Sequence, residues 1–292
     1  METSEILKKV RKIEIKTRGL SQDIFAGAYH SAFKGRGMTF SEVREYQYGD
    51  DIRTIDWNVT ARFGRPYIKI FEEERELTVV LLIDVSGSQE FGTVSRMKKD
   101  MMTEIAATLA FSTIQNNDKI GVIFFSDKIE KFIPPKKGRK HVLYIIRELI
   151  DFRPESNKTN LAGALRYFTN AIKKRSTAFV ISDFMDSNFD NELTIANRKH
   201  DVVALQIYDE RETEMPDIGL VKLKDAETGQ RIWIDTADKH LRTFYKHHWG
   251  ERQLNLQRAF TKAKVDAVSM NTSDDYVQAL MRLFQMRSKI GR

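Results

Sequence analysis

Residues 77–88, LTVVLLIDVSGS, decide the fold of this chain. The run from Leu77 to Ile83 is continuously apolar and rich in Val, Leu and Ile. That is the pattern of a strand buried on both faces, not one alternating between core and solvent. It ends in Asp84, and Ser86 and Ser88 follow at two-residue steps. An Asp-x-Ser-x-Ser turn puts one carboxylate and two hydroxyls on a single loop, and Gly87 lets that loop turn tightly. Oxygen donors of this kind suit a hard cation such as Mg²⁺. The same residues also suit an ordinary strand-to-helix turn in which a serine caps the next helix. The surrounding chain has to decide between the two readings.

Downstream, strands and helices alternate. Residues 93–115 carry Val94, Met97, Met101, Ile105 and Leu109 at helical spacing, with the methionines read as core packing. Residues 119–125, 177–181 and 202–208 read as buried strands. Residues 128–133 read as an antiparallel edge strand that Pro134-Pro135 stops. Residues 141–151, 161–174 and 191–199 read as helices. Residues 219–224 and 231–234 flank a turn at 227–230 and read as a hairpin. Residues 237–264 are mostly helix, 265–270 a last strand and 273–288 a closing helix. Such alternation predicts an α/β fold: a doubly wound, mostly parallel sheet flanked by helices. Ligands on such sheets sit at the carboxyl ends of strands, near the point where strand order reverses. Asp84 and Asp183 are both expected there. Thr159 offers a further hydroxyl at that edge, with Asn160 the better N-cap of the following helix.

Upstream, residues 4–18 pattern as an amphipathic helix through Ile6, Val10 and Ile13. Residues 27–74 are rich in glycine and aromatics without a long helical period, and predict short strands and turns. The expected organisation is an N-terminal helix over 1–20, a small β-rich subdomain over 21–76 and an α/β domain over 77–292. Asp50, Asp51 and Asp56 are read as partners of Arg44, Arg53 and Arg62 that pin turns, because adjacent arginines depress carboxylate basicity.

The chain has 292 residues, no cysteine, and a formal charge of +7 from 48 basic and 41 acidic residues. The missing cysteines exclude disulfides and thiolate metal sites. No window approaches the ~18 unbroken apolar residues of a membrane helix. Charges interrupt the N-terminus where a signal peptide needs its apolar core, so a cytoplasmic protein without a transmembrane segment is expected. The basic excess at the two ends reads as a solvated surface with no specific nucleic acid as partner, since no nucleic-acid motif accompanies it.

In order and spacing, Asp84-x-Ser86-x-Ser88, Thr159 and Asp183 resemble the metal-ion-dependent adhesion site of von Willebrand factor A domains. The resemblance implies that Asp84, Ser86, Ser88, Thr159 and Asp183 surround Mg²⁺, with Mn²⁺ or Ca²⁺ as alternatives. The upstream block is similar to the signature of the bacterial "domain of unknown function fifty-eight" family. It carries Gly35-Arg36-Gly37, Arg44-Glu45-Tyr46, Gly49-Asp50-Asp51, Ile55-Asp56-Trp57 and Ala61-Arg62. Members of that family often lie beside a MoxR-type AAA+ ATPase. The resemblance therefore implies a non-enzymatic adaptor for such an ATPase in complex assembly or chaperone-like remodelling. Two carboxylates and three hydroxyls leave a divalent ion electrophilic, with a position for an acidic side chain of a protein ligand. The competing expectation is a Mg²⁺-dependent hydrolase such as a phosphoesterase. Against it, the six histidines form no metal-ligand pair, no GxxxxGK[ST] loop occurs, and Ser86 stands where a dehalogenase-type phosphatase has its second Asp.

Overall fold

The computed structural model describes residues 38–73, 77–92, 96–225 and 229–290, together with Arg11, Ile13, Ala28, Tyr29 and Ala32. The helix expected over 4–18 and the Gly35-Arg36-Gly37 motif fall almost wholly outside the described residues. The chain divides into two compact units, one of them Lys34–Leu77.

In that smaller unit, β1 (Met38–Glu45) and β2 (Tyr67–Glu73) pair antiparallel around a bulge at Phe40/Glu42. Between them the structure departs from the expectation of strands and turns alone: Trp57–Phe63 is a helix, α1. Its signals are local. Asp56 caps it by accepting from the amides of Asn58 and Val59, and Gly64 ends it in the left-handed region at φ 66°. The acids do pin turns, though only one uses the expected arginine. Asp50 accepts two hydrogen bonds from Arg44 at 2.7 and 2.8 Å, while Asp51 caps a short 3₁₀ turn and Asp56 pairs with Lys69.

The larger unit is a six-stranded sheet. Its strands are β3 (Thr78–Asp84), β4 (Lys119–Phe125), β5 (Ile129–Lys136), β6 (Thr177–Ser182), β7 (Asp201–Tyr208) and β10 (Asp266–Asn271). Their spatial order is β10-β7-β6-β3-β4-β5, all parallel except β5. Counted within this sheet it is the doubly wound order 3-2-1-4-5-6, whose reversal lies between β3 and β6. The central strands are buried along nearly their whole length, as their unbroken apolar runs require. β5 runs through Pro134 and Pro135 rather than stopping before them. An edge strand has no outward ladder for a proline to break, and the register shifts at Ile120/Val122 to pass them.

Helices cover both faces. Val80 and Leu82 point into a core shared with α4 (Leu161–Ala171), α5 (Asp190–Lys199) and α7 (Lys239–Ala263). The alternate residues Val79, Leu81 and Ile83 are equally buried and face the other layer, where α2 (Lys98–Gln115) packs on the sheet and against α3 (Arg139–Asp151). α2 is buried almost all round, so its apolar residues form no single stripe. It starts at Lys98, five residues later than the periodicity predicts. A four-residue helix α6 (Glu210–Thr213) follows β7, and the hairpin β8 (Leu220–Lys224) with β9 (Arg231–Asp235) precedes α7. α8 (Tyr276–Ile290) closes the chain after β10, and Arg287 on it ion-pairs with Asp201 and Asp266 at the starts of β7 and β10. Among the described residues no helix is long and apolar enough to cross a membrane.

Candidate metal centre at the sheet's switch point

Asp84 is the last residue of β3, and Asp183 directly follows β6, so both stand at the carboxyl ends of the two strands that flank the reversal. The loops there are tied together by hydrogen bonds. Ser182 donates its hydroxyl to Asp84 Oδ2 at 2.6 Å, and the Ser86 amide donates to Asp84 Oδ1 at 3.0 Å. The hydroxyls of Ser86 and Ser88 lie 3.1 Å apart. The Gly87 amide donates to the Asn157 carbonyl at 2.9 Å, which brings the loop bearing Thr159 to the same rim. That loop is fixed from the other side by the Leu161 amide, which donates to Asp186 Oδ2 at 2.7 Å. Asn160 caps α4, accepting from the Gly163 amide at 2.8 Å, as its position predicts. Thr159 itself is half-buried.

Local backbone geometry aims the second carboxylate. Phe184, next to Asp183, has φ 55°, a conformation rare for a bulky side chain. Its ring is buried against Phe189 and Phe260, and its amide donates to Ser182 Oγ at 3.1 Å. Core packing thus holds a turn that the local sequence does not favour.

The electrostatics explain why such a rim wants positive charge. Asp84 is 1% exposed and Asp183 2%. Burial first, and then the charge of Asp183, push the Asp84 carboxyl up to about 7, against hydrogen bonds from Ser182 and Ser86 that favour the anion. Part of the compensating charge belongs to the chain itself. Lys98, wholly buried at the start of α2, donates from Nζ to Asp183 Oδ2 at 2.8 Å and to Glu212 Oε1 at 2.6 Å. Burial pulls this lysine down, but the two carboxylates outweigh it and hold it above the ordinary lysine range. Glu212 is held up by burial, against the pull of Lys98. A capping box orients it: Glu212 Oε2 accepts from the Asp209 amide at 2.8 Å, and Asp209 caps α6.

Tested against a hard divalent ion, the donor set fits. Asp84, Ser86 and Ser88 present oxygens on one loop, and a carboxylate oxygen that accepts one hydrogen bond keeps a lone pair for a metal. Gln89, beside them, is 2% exposed, and its Oε1 has no hydrogen-bond partner among the described residues. A buried acceptor left open at the rim is a further oxygen that a cation or its water would satisfy. Among the described residues no cluster of three or more His, Cys, Asp or Glu side chains is arranged for a metal, so any ion here depends on hydroxyls as well as carboxylates.

Sequence reasoning missed Lys98, Ser182 and Glu212. The Asp209-x-x-Glu212 pattern after a buried strand is a readable capping box. Ser182 and Lys98 carry no such signal, because only the fold brings them to Asp84 and Asp183.

Comparison with known proteins agrees with this architecture. Residues 42–254 match the family described as protein of unknown function DUF58. The chain belongs to the DUF58 family. An uncharacterized protein of Mycobacterium tuberculosis strain H37Rv, Rv1480, is 28% identical over 285 residues, covering 96% of this chain and 89% of its own length. Among solved structures, BatB from Bacteroides thetaiotaomicron superposes with a TM-score of 0.50 at 15% identity, over 73% of this chain and 99% of that one. An aerotolerance-related membrane protein from Bacteroides fragilis gives the same TM-score at 14% identity, over 72% of this chain and 99% of that one. Both likenesses concern the fold alone: in the larger unit of this DUF58 chain, a mostly parallel sheet between helices; the smaller unit has its own two-stranded antiparallel sheet.

Proposed function

We propose that this DUF58 protein is a non-enzymatic, metal-dependent protein-binding module that serves as an adaptor for a MoxR-type AAA+ ATPase. The observation that carries the reading is the pair of buried carboxylates at the switch point, with the Ser86 and Ser88 hydroxyls on the same rim. In this reading Asp84, Ser86 and Ser88 hold Mg²⁺, and Thr159 and Asp183 complete the set directly or through water. The metal supplies an open coordination position for a carboxylate of the partner. The chain's own groups orient the donors: Ser182 and the Ser86 amide fix the Asp84 carboxylate, and the Gly87 amide anchors the Thr159 loop. The ATPase partnership rests on the family resemblance of the N-terminal block and not on the site's chemistry.

Calorimetric titration of Mg²⁺ into the wild type and Asp84→Asn tests the metal. Binding heat is expected from the wild type and not from the variant, and equal heats from both refute the reading. Co-purification with a MoxR-type ATPase, with and without chelator, tests the adaptor role. Association that survives chelation keeps the partner and removes the metal from the contact. Phosphoester hydrolysis that needs Mg²⁺ and disappears in Asp84→Asn replaces the binding module with an enzyme.

A further inference from the structure

Lys98 is an unusual residue for its place. It is the first residue of α2, and a cation at a helix N-terminus opposes the helix dipole, a cost of roughly 0.3–1 kcal/mol. Met97, the N-cap, offers no side-chain cap to offset this. The side chain is wholly buried, where an ammonium is costly unless paired. Neither the helix nor its apolar neighbours ask for a lysine here; the carboxylates of Asp183 and Glu212 do. What surrounds its ammonium is the site: Asp183 Oδ2 at 2.8 Å, Glu212 Oε1 at 2.6 Å, and the Phe91 ring with its centroid 6.0 Å away. One of the two carboxylates that a metal reading assigns to the ion already holds a cation belonging to the chain. The second acid, Glu212, is locked by its capping box and shares that cation.

We propose that Lys98 is a tethered counter-cation that competes with the divalent ion for Asp183 and so sets the metal affinity of the site. Glu212 is its second anchor: it takes part of the ammonium's charge and leaves Asp183 partly available. Binding of a divalent ion shifts Lys98 towards Glu212, which ties the state of the site to α6. This inference rests on the metal reading given above, but it makes a distinct prediction, because two charge changes on one ion-pair network act in opposite directions.

The test is calorimetric titration of Mg²⁺, and of Mn²⁺ in parallel, into the full chain carrying Lys98→Met, Glu212→Gln or Lys99→Met. Lys99 is the neighbouring lysine, and its ammonium donates to the Phe152 carbonyl rather than to either acid. Lys98→Met is expected to tighten the metal about tenfold, the effect of removing one competing charge–charge contact. Glu212→Gln is expected to weaken it several-fold, since Lys98 then falls wholly on Asp183. Lys99→Met is expected to change affinity less than about twofold. In chelator, Lys98→Met should melt below wild type, and Mg²⁺ should restore its melting temperature. Wild-type binding with no tightening in Lys98→Met overturns the inference and leaves the metal reading intact. Equal tightening by Lys99→Met reduces the effect to net charge and also overturns it. Binding by Lys98→Met and none by the wild type upholds the competition for Asp183 and overturns the metal reading of the native chain. Should Lys98→Met fail to fold, unchanged or tighter binding in Glu212→Gln overturns the inference by itself.

Discussion

At the scale of single residues, buried ionisable groups sit at both ends of the sheet and respond to pH in opposite senses. His200 follows α5 at the amino edge, 1% exposed, with Ser176 Oγ 3.0 Å from Nδ1 and the Phe168 ring tilted against it, centroids 4.4 Å apart. Burial first, then the charges of Lys199 and Arg175, lower its pKa to about 4. Because the folded value lies below the unfolded one, the neutral ring contributes fully above pH ~6.5, and the contribution is lost as pH falls from there towards ~4. The expected loss is about 2–3 kcal/mol, read as a falling urea midpoint across that window. His200→Gln should flatten that slope, and an unchanged slope would place the acid sensitivity elsewhere. Asp84 works the other way. Its folded pKa is raised to about 7, so in metal-free protein its contribution is lost as pH rises through that value.

At the scale of elements, the close approach of β4 and β5 depends on one missing side chain. A Cβ on Gly121 would lie 2.8 Å from both the Ile133 carbonyl oxygen and the Pro135 nitrogen. Those contacts are backbone and a proline ring, which cannot swing away. Gly121→Ala should therefore push the edge strand outward and destabilise the protein by about 1–3 kcal/mol, measurable by denaturant unfolding. An unchanged midpoint would mean that the bulge at Ile120/Val122 absorbs the methyl group. α1 and α6 illustrate another point about elements. Both are too short to show a hydrophobic period, yet each is announced by its cap: Asp56 with Gly64 for one, and the Asp209–Glu212 box for the other.

At the scale of the whole molecule, a ligand that binds only the folded state stabilises all of it. Mg²⁺ at one hundred times its dissociation constant should contribute about 2.7 kcal/mol. For a domain of this size that is a rise in melting temperature of roughly 5–10 °C, absent in Asp84→Asn. Two buried carboxylates that repel each other at the rim are the reason to expect it, and a flat response in the wild type would count against a native metal site. Much of this architecture was legible in the linear chain. Unbroken apolar runs identify β3, β4, β6 and β7, because strands covered on both faces have no polar side. Their alternation with helices implies a parallel sheet and places Asp84 and Asp183 at its carboxyl edge. Asp84, Ser86 and Ser88 were readable together because they lie within five residues. What only the tertiary structure decided is who meets them. Ser182 reaches Asp84 across 98 positions of the chain, Lys98 reaches Asp183 across 85 and Glu212 across 114. Hydrophobic periodicity reports which way a residue faces within its own element. It carries no record of which distant polar group will be buried opposite, and the charge balance of this site is set by those distant groups.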